Sequence, residues 1–240
     1  MHAEELAKTI DHTLLRPDGT AGDVERLCRE AARHHFAAVC VFPYFVPLAH
    51  DLLRGTDVKV CAAVAFPFGA EALRTKVVAA EEAVKRGADE VDVVINVPAM
   101  LSGDFGRVRD ELSSVVRAVH LRAVNGGKGL VIVKAIIETC YLSTKMKKLA
   151  CRIVEQAGCD FVKTSTGVGP GGATVQDVEL LRECVGAHVG VKASGGIRTL
   201  REVEHMINAG ATRIGTSAGV AILDEHRAGH AAGSPAERRA

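Results

Sequence analysis

The residues with the most chemistry in them are charges placed where charge is costly. Lys134 in LVIVKAIIE, Lys163 in DFVKTSTG, Lys192 in VGVKASGG and Asp92 in EVDVVIN each interrupt a run of apolar residues. A charged side chain is almost never fully buried unless it is paired. Three of the chain's eleven lysines lie near the C-terminal ends of such runs, 29 residues from one to the next. That interval matches one strand-plus-helix unit. It predicts three neighbouring strands carrying the lysines at similar heights, with backbones ~4.8 Å apart. Strand alternation lets Asp92 and the lysines face one interior, and Gly190 and Ser194 leave room around Lys192. One acid does not neutralise three ammonium groups, so a purely structural ion cluster is disfavoured. Crowded ammonium groups lower one another's pKa from an ordinary ~10.4, which yields a free amine able to attack a carbonyl. An activated amine, a second cation and a carboxylate are the parts of a Schiff-base enzyme. Position alone nominates all three lysines as the nucleophile.

A second set of residues suits an anion. STGVGPGGAT (165–174), SGGIRT (194–199) and GTSAG (215–219) are rich in Gly and hydroxyls, and each precedes a helical stretch. Backbone N–H groups and a helix dipole at such places hold phosphate. Gly195, Gly196, Gly215, Thr216 and Ser217 fall at the seventh and eighth strand ends, where barrel enzymes commonly bind phosphate.

The elements that position these residues repeat one theme: a short β-branched run, a polar turn, a helical stretch. Strands are expected over 37–42, 59–66, 90–96, 130–137, 160–164, 188–193 and 212–216, with a weaker one over 9–14. Apolar spacing of three and four predicts helices over 71–86, 105–124, 144–157, 175–185 and 200–209, with Ser143, Thr174 and Thr199 as N-caps. Gly stands just past several helices in RGADE, NGGKG, AGCD and AGATR. Eight alternating units predict a single (β/α)8 barrel over 1–225 with a short N-terminal helix; 226–240 reads as a mobile tail. An open doubly wound sheet is the alternative fold, but no GxGxxG turn follows the first strand.

Composition narrows the partners. The 240 residues carry a net charge of +1 with acids and bases interspersed, which points away from nucleic acid and membrane surfaces. No apolar run approaches the ~20 residues of a spanning helix. The acids in MHAEELAKTIDHT do not fit a secretory leader, and seven cysteines without a CxxC pair read as reduced thiols, so a cytoplasmic protein is expected.

Together IDHTLLRP, AAVCVFP, ADEVDVVIN, VKAIIETC, DFVKTSTG, VKASGGIRT and RIGTSAG, in this order, closely resemble the deoxyribose-phosphate aldolases from about Ile10 to Leu223. The resemblance implies reversible cleavage of 2-deoxy-D-ribose 5-phosphate to D-glyceraldehyde 3-phosphate and acetaldehyde, a step in deoxyribose phosphate breakdown. It implies no metal or organic cofactor and a homo-oligomer, a dimer or tetramer. By matching motifs, Lys163 is the Schiff-base lysine, Lys192 the second lysine that perturbs it and shares protons, and Asp92 the carboxylate of the proton relay. Asp11, Cys40, Lys134 and Thr166 match the surroundings of the site, and Gly167 joins Gly195, Gly196, Gly215, Thr216 and Ser217 at the phosphate. The chain departs from the pattern at Arg16, where many relatives carry Lys, and at Phe42, where many carry Asn. Its tail also lacks the tyrosine that assists proton transfer in some relatives; only Tyr44 and Tyr141 are present. Another phosphate-binding Schiff-base enzyme and a non-catalytic sugar-phosphate barrel are the competing readings.

Overall fold

A computed structural model describes residues 1–233. Eight parallel strands close into one barrel in chain order: β1 (Ile10–Leu14), β2 (Ala38–Val41), β3 (Lys59–Val64), β4 (Glu90–Val94), β5 (Ile132–Ile136), β6 (Phe161–Lys163), β7 (Gly190–Ser194) and β8 (Arg213–Thr216). All eight expected strands form, each near its expected place.

Helices surround the barrel: α1 (Ala3–Ala7), α2 (Ala21–His34), α3 (Val46–Leu52), α4 (Leu73–Lys85), α5 (Val97–Leu101), α6 (Phe105–Asn125), α7 (Thr144–Gln156), α8 (Val175–Cys184), α9 (Leu200–Asn208) and α10 (Gly219–Gly233). Ser143, Thr174 and Thr199 cap α7, α8 and α9 as expected, their side chains accepting backbone N–H groups of Met146, Asp177 and Glu202. Such a cap satisfies a donor the helix leaves open. The sequence reading omitted α2. Its signals are there: Thr20 and Asp23 form a reciprocal capping box, and Val24, Leu27, Cys28 and Ala31 make one narrow buried stripe. Helix α10 runs through 226–233, where a mobile tail is expected, and buried His226 there meets the Met1 carbonyl at 3.1 Å. Residues 234–240 lie outside the described residues. Among the described residues no helix is long and apolar enough to cross a membrane.

The main core lies between barrel and helices. It draws outward-facing strand residues such as Val39, Val60, Val91, Val133, Val162 and Val191 together with helix residues such as Leu112, Val154 and Leu181. Each fully buried aliphatic side chain there contributes about 1.5–3 kcal/mol. Inside the barrel the apolar cluster is small, limited to Ala38, Cys40 and Cys61 with Leu15 against them. Buried Ala63, Val94 and Ile136 share the inward face of their strands with a network of charged side chains.

Candidate active site

Asp92 on β4 is the hub of that interior. Its Oδ1 accepts from Lys134 Nζ at 2.6 Å and from Cys61 Sγ at 3.1 Å; its Oδ2 accepts from Lys192 Nζ at 2.7 Å and Lys163 Nζ at 2.8 Å. Lys192 also pairs with Asp11, and Lys134 with Glu90 at 2.6 Å. Arg213 closes the lower side, 2.6 Å from Asp11 Oδ1 and 3.3 Å from Glu90, with its guanidinium 5.6 Å from the centre of the Phe161 ring. Cys40 reaches Asp92 Oδ2 only at 4.0 Å.

The structure corrects three expectations. The cluster is not one acid against three lysines: Asp11 and Glu90 join Asp92, and Arg213 joins the lysines. The lysines do not form one row either. Lys163 pairs with Lys192 in register, but Lys134 pairs with Phe161, two residues below Lys163. Strand stagger, which barrel closure imposes, decides this and equal spacing does not. Third, crowding does not lower every lysine. Burial opposes the charge on Lys134 and Lys192, but the carboxylates outweigh it: Asp92 foremost for Lys134, Asp11 and then Asp92 for Lys192. Both ammonium groups are held above their ordinary range. Burial likewise opposes ionisation of Asp92 and Asp11, yet the lysines, with Arg213 beside Asp11, hold both well below the usual carboxylate range.

Room for Lys192 also has a different source. A Cβ on Gly215 would lie 3.2 Å from Lys192 Cε, whereas one on Gly190 would strike the Phe161 ring. Gly215 therefore clears space for the lysine and Gly190 for the aromatic ring under Arg213.

Above the network opens a cavity of about 570 Å³ at the C-terminal ends of the strands. Of the three lysines, only Lys163 lines it. Thr166, Gly167, Gly195, Gly196, Gly215, Thr216 and Ser217 line it too, so the expected phosphate residues come together. Gly167, Gly195 and Gly196 have φ of 84°, 90° and 84°, a backbone that residues with side chains avoid. The Thr216 hydroxyl is engaged within the loop, donating to the Ile197 carbonyl at 2.7 Å and accepting from Ala218 N–H at 2.9 Å. Arg16 and Arg198 add cations to the wall.

Sequence reasoning missed Glu90, Arg213 and Cys61. Two of them had a signal in strand alternation, since Glu90 stands two before Asp92 and Arg213 two before Gly215. Cys40, Cys61 and Asp92 offer ligand atoms within 4.8 Å of one another, a metal-like triad. Both oxygens of Asp92 already face ammonium groups, so a cation there would meet Lys134 and Lys192 at close range.

Known proteins match this chain over most of its length. The family model described as DeoC/LacD family aldolase matches residues 6–225. Deoxyribose-phosphate aldolase of Thermoanaerobacter sp. (strain X514) is 53% identical over 220 residues, 92% of this chain and 96% of that protein. The enzyme of the same name from Thermococcus kodakarensis is 50% identical over 226 residues, 93% of this chain and 98% of that one. The solved tetrameric deoxyribose phosphate aldolase from Aeropyrum pernix superposes with a TM-score of 0.85 at 34% identity, covering 94% of this chain and 92% of the other. Family match, full-length identity and barrel geometry agree: the chain belongs to the DeoC/LacD family of aldolases.

Proposed function

We propose that this chain reversibly cleaves 2-deoxy-D-ribose 5-phosphate to D-glyceraldehyde 3-phosphate and acetaldehyde through an imine on Lys163, with no metal or organic cofactor. One observation carries the reading. Lys163 opens onto the cavity that the Gly-rich loops line, while Lys134 and Lys192 are sealed below, each fully buried. An aldehyde held by its phosphate at Gly167, Gly195, Gly196, Gly215, Thr216 and Ser217 would reach that amine before any other.

The charges fit the chemistry. Four interior basic side chains meet three carboxylates, one base in excess. Lys163 is also the least restrained of the three lysines: among the described residues Asp92 is its one carboxylate partner. In the cleavage direction its nitrogen adds to the C1 carbonyl and water leaves, giving the iminium. The C3 hydroxyl then loses its proton, the C2–C3 bond breaks, and its electron pair flows into the iminium to form an enamine. Glyceraldehyde 3-phosphate departs. A proton adds to the enamine carbon, and hydrolysis frees acetaldehyde and the amine.

Asp92 and Lys192 serve the proton transfers. Asp92 Oδ2 touches both lysines and is the carboxylate nearest the imine, where a bound water could pass protons. Lys192, kept cationic by Asp11 and Asp92, provides the positive field beside the nitrogen. Asp11, Lys134 and Cys40 complete the floor beneath them, and Thr166 the wall.

The solved tetrameric relative supports a homo-oligomer. The seven free cysteines suit a reducing, cytoplasmic setting. The test is direct: purified protein with 2-deoxyribose 5-phosphate should release acetaldehyde and glyceraldehyde 3-phosphate in equal amounts. Release from ketose phosphates but not from this sugar would move the reading to another Schiff-base aldolase.

A further inference from the structure

Glu138 has no part in the chemistry above, yet its setting is unusual. It follows β5, is 3% exposed, and adopts a left-handed backbone at φ 53° and ψ 68°. Such a conformation is unfavourable for a residue with a side chain and persists where its surroundings over-determine it. Among the described residues its carboxylate has no Lys or Arg partner. Apart from the Cys140 thiol 3.9 Å from Oε1, its partners lie on one residue of the next strand's loop. Thr166 N–H donates to both carboxylate oxygens at 3.2 Å, and the Thr166 hydroxyl donates to Oε2 at 2.5 Å. That hydroxyl in turn accepts the Val168 N–H at 3.1 Å. One buried carboxylate thus holds both donors of Thr166 and, through them, the turn at Gly167.

The turn so held is in backbone contact with the neighbouring loop. A Cβ on Gly167 would lie 3.3 Å from the Gly195 Cα, and one on Gly172 would lie 2.1 Å from the Gly195 oxygen. Gly195 therefore sits between two glycines of the β6 loop. Thr166, Gly167 and Gly195 all line the Lys163 cavity.

We propose that Glu138 is a positioning residue for phosphate recognition: it fixes Thr166 and Gly167 against Gly195 and so sets the shape of the anion cradle. It acts through those loops and not on the imine. The proposal rests on the reading of the Gly-rich loops as the phosphate site.

The test compares wild type with Glu138→Ala, Glu138→Gln and Thr166→Val. Binding of inorganic phosphate is measured by calorimetry, and turnover is measured with 2-deoxyribose 5-phosphate and with unphosphorylated 2-deoxyribose. Losing the hydrogen bonds to a charged acceptor should weaken phosphate binding by about tenfold in Glu138→Ala, with a matching rise in KM for the phosphorylated sugar. Its kcat, and turnover of the unphosphorylated sugar, should stay within about threefold of wild type. Glu138→Gln keeps an acceptor oxygen and should fall between wild type and Glu138→Ala. Thr166→Val should weaken phosphate binding in the same direction, and it decides the matter should Glu138→Ala not fold. Unchanged phosphate affinity overturns the proposal, as does an equal loss on both sugars or a Gln variant no better than Ala. Calorimetry needs no turnover. A wild-type protein that binds phosphate without cleaving the sugar would sink the proposed reaction and still let the variants judge Glu138. One that binds no phosphate overturns the Glu138 proposal outright.

Discussion

The two faces of the barrel wall differ in kind. Along β7, Val191 and Ala193 face the helices and join the apolar shell, while Lys192 between them faces the ionic interior. The same alternation sets Val91 and Val93 outward and Asp92 inward on β4. The shell gains stability from removing apolar area from water, which is non-directional and tolerant of detail. The interior gains its order from pairing, and each charge there depends on the others. Stability and chemistry are thus separated by a single strand's thickness. Lys163 stands at the edge of the interior, bound by one carboxylate partner and open to the cavity, so the proposed imine at its nitrogen leaves the other pairs in place.

That contrast can be broken in order of effect. Lys163→Ala should cut kcat by at least about 10⁴-fold in a steady-state assay, with little change in melting temperature, because it removes the proposed nucleophile from the cavity wall and leaves paired charges behind. Asp92→Asn should damage both properties. Turnover should fall about 10²- to 10⁴-fold, and chemical denaturation should show a loss of about 3–5 kcal/mol, since Lys134, Lys163 and Lys192 share that carboxylate. Leu181→Ala in the shell should do the reverse. It should cost about 2–5 kcal/mol by the same denaturation measurement and leave kcat at 25 °C near wild type. A Leu181 variant that lost activity in proportion to stability would dissolve the separation.

The pH dependence of stability sharpens the comparison. Asp11 and Asp92 have depressed pKa values in the fold, so their contribution is present above the unfolded value near ~3.9 and is lost as pH falls through the folded values. Lys134 and Lys192 have raised values, so theirs is present below ~10.4 and is lost only as pH rises through the folded values. Thermal melting should therefore be nearly flat from pH 5 to 9 and fall below about pH 4. The smallest effect belongs to a helix cap: Thr199→Ala should cost about 1 kcal/mol in denaturation and leave turnover unchanged.

Much of this was legible in the sequence, and the misses have physical reasons. Eight strands followed from β-branched runs, and three caps from hydroxyls ahead of apolar stripes. Asp92, Lys134, Lys163 and Lys192 stood out because charge inside an apolar run needs an explanation, and the family resemblance then singled out Lys163, Lys192 and Asp92 for the chemistry. Glu90 and Arg213 did not stand out, because they sit at strand starts where charge is ordinary, and Asp11 entered only through the family resemblance; barrel closure carries all three inward. Without them the ions could not be balanced, and the lysines looked more mutually repelled than they are. Equal spacing in sequence could not reveal stagger between strands. Nor could it say which lysine faces open space, which depends on how loops from five different strands meet above the barrel.

The central claim is that Lys163 forms the imine. Incubation with acetaldehyde, reduction with sodium borohydride and peptide mass spectrometry test it most directly. The account predicts an N-ethyl adduct on the peptide containing VKTSTG, at Lys163, and none on the peptides of Lys134 or Lys192. An adduct at Lys192, or no adduct with the enzyme active, would contradict it.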